Sequence, residues 1–197
     1  MSDKLCTEDQ RFQKTLVFHC APALAGIKPA DLISWGGPAE ETRALVDTFG
    51  ESLAGAGVCL RLLCRRGSRS LILVYRRDRL AAQLARPEVR AQLGRDGYPV
   101  EESPAVLLAH LETRMADLEN FPHEVGLFLG YPAADVEGFR LHRGRDYLYS
   151  GAWKVYADVE GAKRSFLQYR RCRAELSQKV ASGDSLALIL PSATAGC

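Results

Sequence analysis

Two spacings of apolar residues divide the chain into elements: recurrences every three or four positions, and short runs of consecutive apolar residues. Thr7 with Gln10 three positions later forms a capping box, and Phe12, Leu16 and His19 or Cys20 then recur at helical spacing. A first helix is predicted to about residue 20, because Pro22 disfavours helical geometry at Ala21; a loop follows through Gly26, Lys28 and Pro29. After Gly36-Gly37-Pro38 a second helix is expected, with Glu40 and Glu41 in its first turn and Leu45, Val46, Phe49 and Leu53 on one face. Residues 58–64 and 70–76 are rich in apolar and β-branched side chains and flank Arg65-Arg66-Gly67-Ser68-Arg69, which predicts an antiparallel hairpin with a basic tip.

Helical spacing returns over residues 78–85, 87–93 and about 104–118, where Leu107, Leu111, Met115 and Leu118 form a stripe. Residues 124–129 read as a central strand, turning at Gly130 into a helix that opens with Pro132, and 153–156 as a short strand. The longest helix is predicted over 158–180, with Val159, Ala162, Phe166, Tyr169, Cys172, Leu176 and Val180 inward, and 186–190 closes the sheet. The expected fold class is α/β, with α+β as the alternative: a mixed sheet of about five strands containing an antiparallel hairpin, helices on both faces. Residues 1–190 read as a single globular domain and 191–197 as a flexible C-terminal tail.

Composition narrows the function classes. At 47% hydrophobic and 25% charged residues the chain has the balance of an ordered globular protein, and a formal net charge of +2 offers no field for a phosphate backbone, so no nucleic-acid partner is expected. Arg61, Arg65 and Arg66 interrupt the richest apolar region and the first ten residues are polar, so neither a membrane span nor a secretory signal is expected and the location predicted is cytoplasmic. Six cysteines (Cys6, Cys20, Cys59, Cys64, Cys172, Cys197) lack the two-residue spacing of zinc ribbons or redox motifs and are read as free thiols. Cys59 and Cys64, an odd number of positions apart, are expected on opposite faces of their strand.

The strings His19-Cys20-Ala21-Pro22, Leu24-Ala25-Gly26-Ile27-Lys28-Pro29, Val74-Tyr75-Arg76, the run from Phe121-Pro122-His123-Glu124 to Gly130-Tyr131-Pro132, and Gly151-Ala152-Trp153-Lys154-Val155-Tyr156 together resemble an uncharacterised bacterial domain family of unknown function, associated with anaerobes. The resemblance implies a cytosolic protein of an anaerobe. It carries over no catalytic residue and no cofactor.

Candidate chemistry gathers at those strings. A thiol beside an imidazole, His19-Cys20, is either a nucleophile with a base or two ligands for a soft metal, but helix neighbours point about 100° apart. On a strand His123 and Glu124 likewise leave opposite faces, so the pairings that remain are the crossed ones, Cys20 with His123 or its counterpart, His19 with Glu124. The first is the one expected to serve a site, because both its members stand at element ends. Arg76, Lys154 and Tyr156 near strand ends are candidates to hold an anion. The leading expectation is therefore a binding protein for a metal-containing or anionic small-molecule cofactor in anaerobic metabolism. Its metal ligands would be His19, Cys20 and His123, and its cofactor contacts His19, Arg76, Glu124, Lys154 and Tyr156. The alternatives are a cysteine-dependent acyl- or thiol-transfer enzyme with Cys20 and His123 as catalytic residues, and a noncatalytic protein partner of a redox system. No phosphate-loop, dinucleotide or nucleophile-elbow motif is present.

Overall fold

The computed structural model describes residues 7–117 and 119–190. Helix α1 (Glu8–Leu24) opens on the capping box, Gln10 N–H donating to Thr7 Oγ1 at 3.3 Å. It runs through Pro22, contrary to the expected stop. The missing N–H deprives only the carbonyl one turn back, at exposed Phe18, where water can reach it, while Ala21 to Leu24 are all buried. Strand β1 (Ala30–Gly36), α2 (Ala39–Leu53) and a 3-10 turn (Ala54–Ala56) follow, then β2 (Val58–Arg66) and β3 (Arg69–Arg76). The hairpin is antiparallel as expected, and Gly67 takes a φ of +60° in its connection. β1 was not anticipated; it pairs antiparallel with β3, from Ala30 opposite Tyr75 to Gly36 opposite Arg69.

The sheet thus has the order β1-β3-β2 with β3 in the middle, and Ile72, Leu73 and Val74 are closed to solvent on both faces. On one face Ile33, Trp35, Val58, Ile72 and Val74 meet α1 and α2, with Phe12 edge-on to Trp35 and Phe49, each at 5.0 Å between ring centres. On the other face Leu63 and Leu73 meet helices α3 (Arg77–Leu84), α4 (Pro87–Arg95), α5 (Pro104–Met115) and α6 (Val125–Phe128). A bulge between Leu62 and Cys64 changes the alternation of β2. Cys59, opposite Tyr75, and Cys64, opposite Leu71, therefore share a face instead of opposing each other.

Beyond α6 come α7 (Ala133–Leu141), the short strands β4 (Tyr149–Ser150) and β5 (Lys154–Val155), α8 (Val159–Ala181) and α9 (Leu186–Ile189). β4 and β5 pair as a separate antiparallel ribbon, and α8 packs along α1. The fold is α+β with antiparallel sheets and helices on both faces. The expected five-stranded mixed sheet is corrected to a three-stranded sheet plus a two-stranded ribbon. Residues 124–129 and 186–190, expected as strands, are single helical turns. Leu127 N–H donates to Glu124 O and Leu129 N–H to Val125 O, so α6 satisfies its backbone locally while its side chains are buried all round. Leu118, Cys6, Cys197 and the expected tail lie outside the described residues. Among the described residues no helix is long and apolar enough to cross a membrane.

Candidate functional site

His19 and Cys20 part company on α1. His19 is exposed and edge-on to Phe18 at 4.8 Å, whereas Cys20 has no exposed surface. Burial, reinforced by the charge of Asp31, raises the Cys20 thiol well above its ordinary pKa, and Lys28 and Arg173 only partly oppose this. Asp31 and Lys28 form a buried pair that sequence reasoning missed. Lys28 Nζ meets Asp31 Oδ1 at 2.5 Å and lies 5.2 Å from the ring centre of Tyr131 and 5.7 Å from that of Tyr169.

Arg76, expected to hold an anion, is buried and donates to main-chain carbonyls at the ends of two helical segments, Leu24 O at 3.2 Å and Ala56 O. Glu124 is also engaged. Its carboxylate accepts from Tyr98 Oη at 3.2 Å, Arg114 Nε at 3.0 Å and Arg140 at 3.4 Å, and Arg140 in turn forks onto Asp96 at 3.1 and 2.6 Å. Burial and the Glu124 charge push the Tyr98 hydroxyl far up, so it donates and does not ionise. Tyr156 stacks on His142 at 5.5 Å and its hydroxyl is enclosed.

His123 and Lys154 do come together. Both line a cleft of about 350 Å³ between α6, α7 and the ribbon, walled by Phe121, Tyr131, Phe139 and Trp153 and floored by Val125 and Gly126. Local chemistry explains how each wall is held. Gly130, at φ +78°, lets the chain turn after α6 with Pro29 packed where a β-carbon would sit, and this aims Tyr131 back over the cleft. Tyr131 stacks on Trp153 at 5.1 Å and donates to Ala152 O at 3.3 Å; burial and Asp31 push its hydroxyl up to about 12. Asp135, in the first turn of α7, accepts from Trp153 Nε1 at 2.7 Å and from the N–H groups of Tyr156 and Ala157 at 2.8 and 3.1 Å, locking the ribbon to the helix. With three donors it serves the architecture. Phe139 contacts His123 edge-on at 4.9 Å.

Lys154 Nζ donates to Gly144 O at 2.6 Å and sits 5.7 Å from the Phe139 ring and 5.0 Å from the Tyr147 ring. Among the described residues that carbonyl is its one hydrogen-bond acceptor, so two of its three N–H donors are available to a guest. The loop that presents Gly144 and Tyr147 holds two non-glycine residues in the left-handed region, Arg143 at φ 51° and Asp146 at φ 53°. Such strain gathers where a binding surface is held in shape.

His19, Cys20 and His123 do not form a metal-holding group: among the described residues no three His, Cys, Asp or Glu side chains are so arranged. Cys20 lies in the core between α1, α2 and the sheet, whereas His123 lines the cleft at α6 and α7, whose lining does not include Cys20. The aromatic wall went unrecognised in the sequence because Tyr131, Phe139 and Trp153 come from three elements; His123 and Lys154 stood out by their chemistry alone.

The chain belongs to the family described as protein of unknown function (DUF3793), whose model matches residues 16–190. No curated protein and no solved structure matches it.

Proposed function

We propose that this member of a family of unknown function is a cytoplasmic binding protein for a flat, anionic small molecule, taken up in the cleft between α6, α7 and the β4–β5 ribbon. The observation that carries the reading is the composition of that cleft: four aromatic rings, the imidazole of His123 and the ammonium of Lys154, with Asp135 the one carboxylate among the described lining residues and already spent on three donors. A volume of about 350 Å³ suits a ligand of one or two fused rings. Rings stack on a planar guest without choosing its polarity; the ammonium chooses an anion, such as a carboxylate or sulfonate. Arg76 and Glu124 take no part, since both are consumed by internal partners. A nucleophilic Cys20 is disfavoured because its thiol is sealed in the core and kept protonated.

Anilinonaphthalene sulfonate, a fluorescent ring anion, tests this against its neutral counterpart N-phenylnaphthylamine. The sulfonate is expected to brighten on binding and to quench Trp153 in a Trp35→Phe background. Lys154→Met should weaken the sulfonate by about tenfold, the loss of one charge-assisted contact, and leave the neutral probe unchanged. Equal binding of both probes to both proteins, or no quenching of Trp153, would overturn the proposal.

A further inference from the structure

On the far side of residues 150–151, α8 builds a second cleft of quite different character. Lys163, Phe166, Arg170 and Arg173 recur at spacings of three and four, so they lie along one face of the helix. With Tyr149, Ser150, Gly151 and Tyr169 they line a cavity of about 430 Å³, and no carboxylate is among its described lining residues. The helix is locally basic although the chain is nearly neutral: Lys163, Arg164, Arg170, Arg171, Arg173 and Lys179 stand against Glu160 and Glu175.

The partners of these cations are unevenly filled. Lys163 is taken by Glu160 at 2.8 Å. Arg173 lies over the Phe18 ring, 5.1 Å from its centre, and its Nε is buried without an acceptor among the described residues. Asp31 feels Arg173 electrostatically but is already paired with Lys28. Arg170 makes no hydrogen bond or ion pair among the described residues. Two guanidinium groups lining one cleft, one of them partly desolvated, suit an oxyanion with several oxygens.

We propose that this cleft is an anion site for a phosphate or diphosphate group of a small molecule, held by Arg170 and Arg173 with the Ser150 hydroxyl at its edge. The site stands on its own lining and does not require the ring cleft to be occupied. It shares the 150–151 strap with that cleft, so a ligand entering both would carry a ring on one side and a phosphate on the other.

Calorimetric titration with inorganic pyrophosphate at low salt is the test. Binding to the unaltered chain is expected, with Arg170→Ala and Arg173→Ala each weakening it about tenfold, or about 1.4 kcal/mol, and Arg173→Lys falling between. The control is the double variant Arg164→Ala with Arg171→Ala, which removes two charges of α8 outside the cleft lining, one more than either test variant, and should leave pyrophosphate binding within about twofold. Absence of heat with the unaltered chain overturns the proposal, and so does a control that weakens binding as much as the test variants. Capture of a short oligouridylate alone, with all four arginines counting equally, would assign the helix to nucleic acid and overturn it as well.

Discussion

The segments at His19-Cys20 and at His123-Glu124 obey one geometric rule and end in different surroundings. In each, the imidazole is turned to solvent and its neighbour is buried, because adjacent residues on a helical turn diverge. In each, the buried neighbour is spoken for: Cys20 by an enclosure that keeps its proton on, Glu124 by Tyr98, Arg114 and Arg140. What separates the two is the company of the outward imidazole. His19 lies along a shallow groove between α1 and α8, while His123 opens onto four aromatic rings and an ammonium. Adjacency in the chain made these pairs conspicuous; the potential of each was decided by the walls that distant elements supply.

The largest effect should come from breaking the anchorage of Glu124. Arg140→Leu leaves that carboxylate with one guanidinium and strips Asp96 of its fork, and a loss of about 3 kcal/mol in urea-denaturation stability is expected. A change within about 0.5 kcal/mol would show the carboxylate to be solvated and sink the contrast with His123.

Cys20 should respond next, through the proton it holds. Its pKa is higher in the native state than in the unfolded chain, so the native state binds the proton more tightly. The resulting stabilisation is fully present below the unfolded thiol pKa of about 8.5 to 9 and is lost as pH rises toward the native value. Unaltered protein should therefore lose up to about 1.4 kcal/mol per pH unit more than Cys20→Ala above pH ~9. Identical slopes in denaturation series, or rapid labelling of native Cys20 by a thiol reagent, would refute the enclosed thiol.

The smallest effects distinguish the two imidazoles. Exposed and without a cleft of comparable walls, His19→Gln should stay within about 0.5 kcal/mol of the parent in stability and bind the ring anion unchanged. His123→Gln should be as stable but should weaken the ring anion about threefold, the loss of one ring contact at the cleft. A larger loss from the His19 variant would reverse the comparison.

How much of this was legible in the sequence depended on how local each signal is. The capping box at Thr7, the hairpin around Gly67, the proline-led α2 and the stripe of α8 are each written within a few turns of chain, and the structure has them. Residues 125–128 and 186–189 are too short to show a period, so an apolar run there looked the same as a strand; 125–128 is buried on every side, and in 186–189 the exposed positions are themselves apolar, so neither has a polar face to betray a helix. β1 escaped because Asp31, within it, is polar yet turned to a buried partner, Lys28, which breaks the expected alternation. The reading of α8 took in its apolar stripe and passed over its arginines, whose significance lies in the absence of acids among the described residues lining the cleft they share with the ribbon. No window of sequence displays that.

Arg76 has a consequence for the order in which the molecule can loosen. One guanidinium touches the carbonyl ends of α1 and of the turn after α2, so the last turns of two segments more than thirty positions apart share a single stopper. Neither end can fray while that side chain stays seated, and once it lifts both are released together. Hydrogen exchange at residues 21–28 and 54–57 would then report one event and not two, the opening of a single cooperative corner.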